Sequence, residues 1–283
     1  MKIILSRKGF DSKNGGMPSP IFPDGTMVSL PIPTNETHSN VQIKDLQFNF
    51  NGYSLAKIVS DLGGISANDY VHLDPDINSG ILANRPVDWK GAFGQVKAAQ
   101  GHLANNGIGT GDLFIYFGWF RKVEPVGGKW QFEKDAPNLH VIYGWLCVDE
   151  VIPVKGIDIA KYPWLINHPH LIGSYDANNT IYIGSQSLPN TINKEKSGFG
   201  VFDMISNIQI LTDTRQSNRT LWKLPTSFYQ KEGFPLTYNR NHDNWTIEDK
   251  DWVLLKSASK GQEFILDIEK YPDVNDWLKK LFA

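Results

Sequence analysis

Several short segments carry the residue types that catalysis or anion binding needs. The first is Ser6-Arg7-Lys8-Gly9-Phe10-Asp11-Ser12, followed by Gly15-Gly16. Converging backbone N–H groups and an Arg fork after a strand suit phosphate. The spacing is not that of a P-loop, and the alternative is a polar turn with a solvated Arg-Lys pair. The second is His72-Leu73-Asp74-Pro75-Asp76. His72 and Asp74 would share one face of an extended segment, as divalent-metal ligands or as a base with its orienting carboxylate. The alternative is an Asp-Pro turn with a hydrogen-bonded His.

Gln95, Gln100 and His102 fall in one amphipathic stretch. A Gln on an apolar face must find partners, because an unpaired buried amide costs about 1–3 kcal/mol. It would read a base edge or tie the helix to a neighbouring backbone. Gln100 and His102 are candidate site residues, and Gln95 is read as a tie. Gly118-Trp119-Phe120-Arg121 ends an apolar run. Aromatic planes beside an Arg suit a nucleotide base, and the alternative is core aromatics with a rim Arg. His168-Pro169-His170 would bind zinc or act in catalysis, but no Cys or acidic third ligand is near in sequence. A turn with capping imidazoles is the reading taken. Arg215, Arg219, Arg240 and His242 lie in polar stretches and are read as surface. Glu263 enters a strand, where a buried carboxylate needs a partner such as an Arg from the first loop. It is either a structural ion pair or a catalytic group.

The elements that would position these residues are legible in part. Residues 2–5 read as a buried strand. Residues 6–40 form a long loop rich in Gly, Pro, Ser, Asn and Asp, and loops that long inside a domain are usually functional. A short helix is expected at 54–62. The best helix spans 92–106, with Phe93, Val96, Ala99 and Leu103 on one face. Strong strands cover 112–120 and 139–149, apolar on both faces. Weaker ones are expected near 130–132 and at 180–184, 199–203, 208–212 and 262–267, and an amphipathic helix at 273–282. The pattern predicts an α+β fold: a mixed, mostly antiparallel sheet or a partly closed β-barrel with a few flanking helices. No composition shift marks a linker, so residues 1–283 are read as a single domain.

The chain has 283 residues, 41% hydrophobic and 20% charged, which excludes a disordered tail and allows a sizeable core. Twenty-eight Lys and Arg against 30 Asp and Glu give a net charge of −2, so the chain is not built to coat a long duplex. The one cysteine, Cys147, excludes an intramolecular disulfide and a Cys-rich zinc site. The apolar start is too short for a signal peptide, and no run spans a membrane, so a cytoplasmic protein with no membrane partner is expected.

The segments SRKGFDS with PSPIFPDG and SLPIP, then HLDPD, FGQVKAAQGHL, GDLFIYFGWFR, HVIYGWL, NHPH, NTIYIG, LWKLP and GQEFILD resemble a family of bacterial and phage proteins, the nucleotide modification associated domain 3 family. They run from residue 4 to residue 267. The resemblance implies a setting of DNA or nucleotide base modification, with nucleic acid or a nucleotide as partner and base-modifying or restriction enzymes as companions. It supplies no reaction. Residues 111–150 alone are also similar to PUA-like barrels of the EVE and ASCH type, which read bases in a pocket.

Two functions are carried forward. In the first, the protein acts on nucleic acid or nucleotides. Asp74, His72, His102 and Glu263 would do the chemistry. Arg7, Lys8, Asp11, Ser12, Gln100, Trp119, Phe120 and Arg121 would bind substrate. In the second, it reads a modified base without catalysis, in a cage of Trp119, Phe120 and Trp145. A third, ligand-free interaction protein fits the polar clusters less well. The site as read includes no metal ligand, and the cofactor is left open.

Overall fold

A computed structural model describes residues 1–283. The first half contains β1 (Lys2–Arg7), β2 (Ser19–Ile21), β3 (Asn49–Phe50), β4 (Tyr53–Ser54), α1 (Leu55–Asp61), β5 (Ala92–Gln95), α2 (Lys97–Asn105), β6 (Leu113–Val126) and β7 (Lys129–Phe132). The second contains β8 (Leu139–Pro153), α3 (Pro169–Ile172), β9 (Thr180–Gly184), β10 (Phe199–Val201), β11 (Leu221–Pro225), β12 (Trp245–Ile247), β13 (Trp252–Lys256), β14 (Glu263–Asp267) and α4 (Val274–Leu281).

The fold is α+β, built on a nine-stranded sheet whose main path runs β14-β1-β6-β8-β9-β5. β1 and β2 pair with β6 in parallel, and the other ladders of this sheet are antiparallel. The path stays open, with β14 and β5 at its ends. The barrel alternative is therefore not the form adopted, and residues 111–150 form an antiparallel pair inside the open sheet. No helix is long and apolar enough to cross a membrane.

Pleating sends alternate residues of the central strands to opposite faces. Ile3, Leu5, Ile115, Phe117 and Phe264 pack with Trp222, Leu224, Val253 and Leu255 of the three-stranded sheet β11-β13-β12, and with Trp277 and Leu278 of α4. Ile4, Phe114 and Tyr116 face the other way and meet Phe93 of β5 and Leu103 of α2. The 6–40 loop is ordered and packs its own core, in which Phe10, Phe22 and Leu30 join Ile58 and Val59 of α1 and Trp130 of β7.

Two elements differ from the periodicity reading. Residues 92–95 are strand, not the first turn of a helix: Ala92 through Gln95 pair with Ile183 through Thr180. Lys97 then takes a left-handed conformation, φ 57°. Asn178 holds it there, accepting from Lys97 N at 2.9 Å and donating to Lys97 O at 2.9 Å. Helix α2 begins only at this break, so Phe93 and Leu103 are not on one helix face. Residues 208–212 make a 3-10 turn at Asn207–Gln209 and two isolated bridges rather than a strand.

His140 lies between the two sheets, 3% exposed, and accepts a hydrogen bond at Nδ1 from Trp222 Nε1 (3.0 Å). Burial, then the charges of Arg7 and Arg219, push its pKa well below the ordinary value. The unfolded chain therefore binds the proton that the folded chain refuses, and stability falls as pH drops below about 6.5, by up to about 1.4 kcal/mol per pH unit for one such group. Urea unfolding at several pH values between 5 and 7 should show this slope. His140→Gln, which keeps an acceptor and does not titrate, should remove the His140 share. An unchanged slope would refute the assignment.

Candidate functional site

The carboxyl end of β1 meets a fully buried carboxylate, Glu263, and its cation, Lys8. Ser6 sits in register with Glu263 of β14 and with Tyr116 of β6, so the three side chains form a row on one face. Glu263 is fully buried. Its Oε1 accepts from Lys8 Nζ (2.8 Å) and from Gln95 Nε2 (2.7 Å). Lys8 Nζ also lies 4.5 Å from the Phe93 ring centre. Glu263 Oε2, Ser6 Oγ and the Tyr116 hydroxyl are buried without a hydrogen-bond partner in the protein. Burial, followed by the charges of Asp74 and Glu263, raises the Tyr116 pKa well above its ordinary value, so this hydroxyl stays protonated.

A second cluster forms around Asp74. The His72–Asp74 segment hangs on the 6–40 loop through His72 N to Ile32 O (2.8 Å). Asp74 Oδ1 accepts from Gly94 N at 2.7 Å, and His168 Nε2 approaches it to 3.4 Å without hydrogen-bond alignment. Asp74 Oδ2 faces His170 Nε2 at 3.5 Å and His72 Nε2 at 3.8 Å. The His170 ring is held by Asn179, whose Oδ1 lies 2.6 Å from Nδ1 and whose Nδ2 donates to the His170 carbonyl at 2.8 Å. Tyr175 stacks on the same ring, with centroids 4.7 Å apart. Gly94 is required where it stands, because a Cβ there would lie 2.3 Å from the His170 ring. Burial alone would raise the Asp74 pKa, but His168 and His170 outweigh it and hold the carboxyl well below the usual range. Burial pushes His72 down to about 4 against the opposing pull of Asp74.

The Asp74 cluster, and Lys8 and Gln95 of the first, open on one cleft of about 180 Å³, lined among others by Arg7, Asp11, His72, Asp74, His170 and Tyr175. A roomier cavity of about 600 Å³, beside Trp252 and Trp277, has no imidazole and no buried charged group in its lining.

Of the residues singled out in the sequence, Arg7, Lys8, Asp11, His72 and Asp74 line this cleft, and Glu263 is bonded to its Lys8 wall. Two of them have other commitments. Arg7 donates to the carbonyls of Ala258 (2.9 Å) and Ser259 (3.2 Å). The Asp11 carboxylate closes its own turn by accepting from Lys13 N (2.7 Å) and Asn14 N (2.8 Å). Ser12 and Trp119 meet at Arg219, which donates to Ser12 Oγ (3.0 Å) and lies 4.3 Å from the Trp119 ring centre. His102 sits behind Glu263, hydrogen-bonded to the Thr237 hydroxyl at 3.0 Å, while that hydroxyl bonds to Glu263 O.

Three readings are corrected. Gln100 is a core tie, because its Oε1 accepts from the buried Tyr182 hydroxyl (3.0 Å). Arg121 is a rim residue, donating to the carbonyls of Glu133 and Lys134 (both 2.8 Å). Phe120 is fully buried, and Trp145 is 4% exposed with Nε1 bonded to Ser197 O, so neither offers a face to a base. The reader's cage does not form. Asp76, in the same motif as Asp74, is paired with Arg85.

Sequence reasoning takes Gln95 as a tie, His168 and His170 as a capping turn and Arg219 as surface, and it does not name Tyr175. His168 and His170 carried a signal, since two imidazoles in a row need partners wherever they are buried. What spacing could not show is that the acidic group they lack in sequence is supplied in space by Asp74.

No curated protein and no solved structure matches the chain. The model of the nucleotide modification associated domain 3 family matches residues 2–267. That span includes β1 through β14 and every residue of the cleft, and so the chain belongs to the nucleotide modification associated domain 3 family.

Proposed function

We propose that the cleft binds a nucleotide, free or within nucleic acid, and performs proton-transfer chemistry on it. The observation that carries this reading is that one cleft is bounded by two carboxylates with different partners, Asp74 in its lining and Glu263 buried behind its Lys8 wall. Asp74 stands among imidazoles, and Glu263 is paired with an ammonium. Carboxylates in unlike environments are what acid–base division of labour requires. Next to Ser12, Arg219 over Trp119 supplies a cation beside an aromatic plane, suited to a phosphate next to a stacked base. The cleft has room for one polar group of the substrate, and the remainder would lie along the 11–14 turn. A net charge of −2 fits a local contact of this kind better than a long electrostatic footprint.

The test is a binding panel of free nucleotides and short single- and double-stranded oligonucleotides, with and without modified bases, at two salt concentrations. Every sample is weighed by mass spectrometry afterwards. Binding with a changed mass supports the reading, and the mass difference names the group transferred or removed. Binding with unchanged mass makes the protein a reader instead. No binding at either salt overturns the nucleotide reading altogether.

A further inference from the structure

We propose that His72, Asp74 and His170 hold one divalent first-row transition-metal ion, with its remaining coordination positions facing the cleft. The proposal shares the cleft with the nucleotide reading but stands on the geometry of these side chains.

The ligand atoms are close to where such an ion needs them. His72 Nε2, Asp74 Oδ2 and His170 Nε2 lie within 4.8 Å of one another, and the two contacts to Oδ2 are 3.8 and 3.5 Å. Ligands about 2.0–2.2 Å from a metal sit roughly 3.0–3.5 Å apart, so a small inward movement completes the set.

The hydrogen bonds decide which atoms are free to bind. Asn179 Nδ2 donates to the His170 carbonyl, so its Oδ1 is the atom that meets His170 Nδ1. Nδ1 therefore carries a proton, and Nε2, once it gives up its own, presents a lone pair to Asp74 Oδ2. In the absence of a proton on Nε2, the two lone pairs 3.5 Å apart call for another positive charge between them. A metal ion supplies it while the ring stays neutral. An imidazole fixed by a carbonyl-type acceptor on its other nitrogen is the usual support of a metal-bound His.

His168 has the opposite arrangement. Its Nδ1 accepts from the backbone N–H of His170 at 3.3 Å, so its proton is on Nε2, the buried atom that lacks an aligned partner and lies 3.4 Å from Asp74 Oδ1. Gly94 N–H holds Oδ1, with the His168 Nε2–H beside it at 3.4 Å, and Oδ2 is left for the ion. His168 is thus a positioning residue and not a ligand. Two imidazoles and one carboxylate favour zinc, iron(II), manganese or cobalt over calcium and magnesium. Three protein ligands leave positions open, which is the arrangement of sites that work on a substrate rather than of closed structural ones.

The test uses the full chain, treated with chelator, freed of it and titrated with Co(II) without any nucleotide. One equivalent should bind, with a visible d–d absorption that Zn(II) abolishes on displacing it. His170→Ala and His72→Gln should each weaken binding by more than 100-fold, beyond the roughly 10–100-fold that loss of a supporting residue costs and that His168→Gln should show. His72 is the most exposed of the three ligands, so His72→Gln keeps the test open if His170→Ala does not fold. His242→Ala, in a 3-10 turn outside the cleft lining, should bind normally. Failure to bind one equivalent, or binding unchanged by His72→Gln, overturns the proposal. Metal bound without any nucleotide binding would leave it standing and sink the nucleotide reading alone.

Discussion

Glu263→Ala is expected to destabilise the protein by about 3–5 kcal/mol, as removal of one partner from a buried ion pair does. The residue is fully buried, and the side chain of Lys8 is only 11% exposed. The substitution leaves the Lys8 ammonium against the Phe93 ring with no counter-charge, and Gln95 loses the acceptor for its amide. The loss should come mainly from those stranded partners. Adding Lys8→Met should therefore restore part of it, giving a double variant less destabilised than the sum of the two single ones. Urea unfolding of the four proteins measures this coupling. A loss under 1 kcal/mol for Glu263→Ala, or strict additivity, would show that the pair does not organise the end of β1.

Asp74→Asn should lower turnover on the accepted nucleotide by a factor on the order of 10²–10⁴, the usual contribution of a positioned acid or base. Nucleotide affinity should change only a few-fold. Asn keeps an oxygen for Gly94 N–H, so the segment should stay in place, but it removes the negative charge to which His72 and His170 turn. Single-turnover mass spectrometry read beside equilibrium binding separates the two effects. Equal losses in both would assign Asp74 to binding. Unaltered turnover would remove it from the chemistry.

The long apolar runs were the most legible part of the fold. Leu113–Val126 and Leu139–Pro153 are buried on both faces through much of their length, so composition alone marks them as central strands. The start of α2 was not legible, because Phe93 and Leu103 reach the same core from a strand and a helix, and helical periodicity joins them by coincidence. The break between them depends on Asn178, which is distant in sequence. The sheet β11-β13-β12 also went unseen, although Leu221–Pro225 and Trp252–Lys256 alternate buried and less buried residues as half-buried strands do.

The site divides in the same way. His72 and Asp74 declare themselves by spacing, and Lys8 by its place after a strand. The ion-pair reading of Glu263 expected an Arg from the first loop, and the neighbouring Lys8 fills that role. Gln100 and Arg121 misled because a polar group at the edge of a core looks the same in sequence whether it meets a substrate or a neighbouring carbonyl. Only the observed partners separate the two cases.

The position of β1 has a consequence for how the protein is made. Lys8 is synthesised 255 residues before its partner Glu263. One neighbour of β1 is β6, and the other is β14. A growing chain can pair β1 with β6 early, but the other edge of β1 must wait, unpaired, until β14 has left the ribosome. Pairing over such separations is slow, and an open strand edge invites wrong partners meanwhile. The Lys8–Glu263 contact thus closes only after nearly every other element exists, so an interrupted translation product should hold no finished cleft.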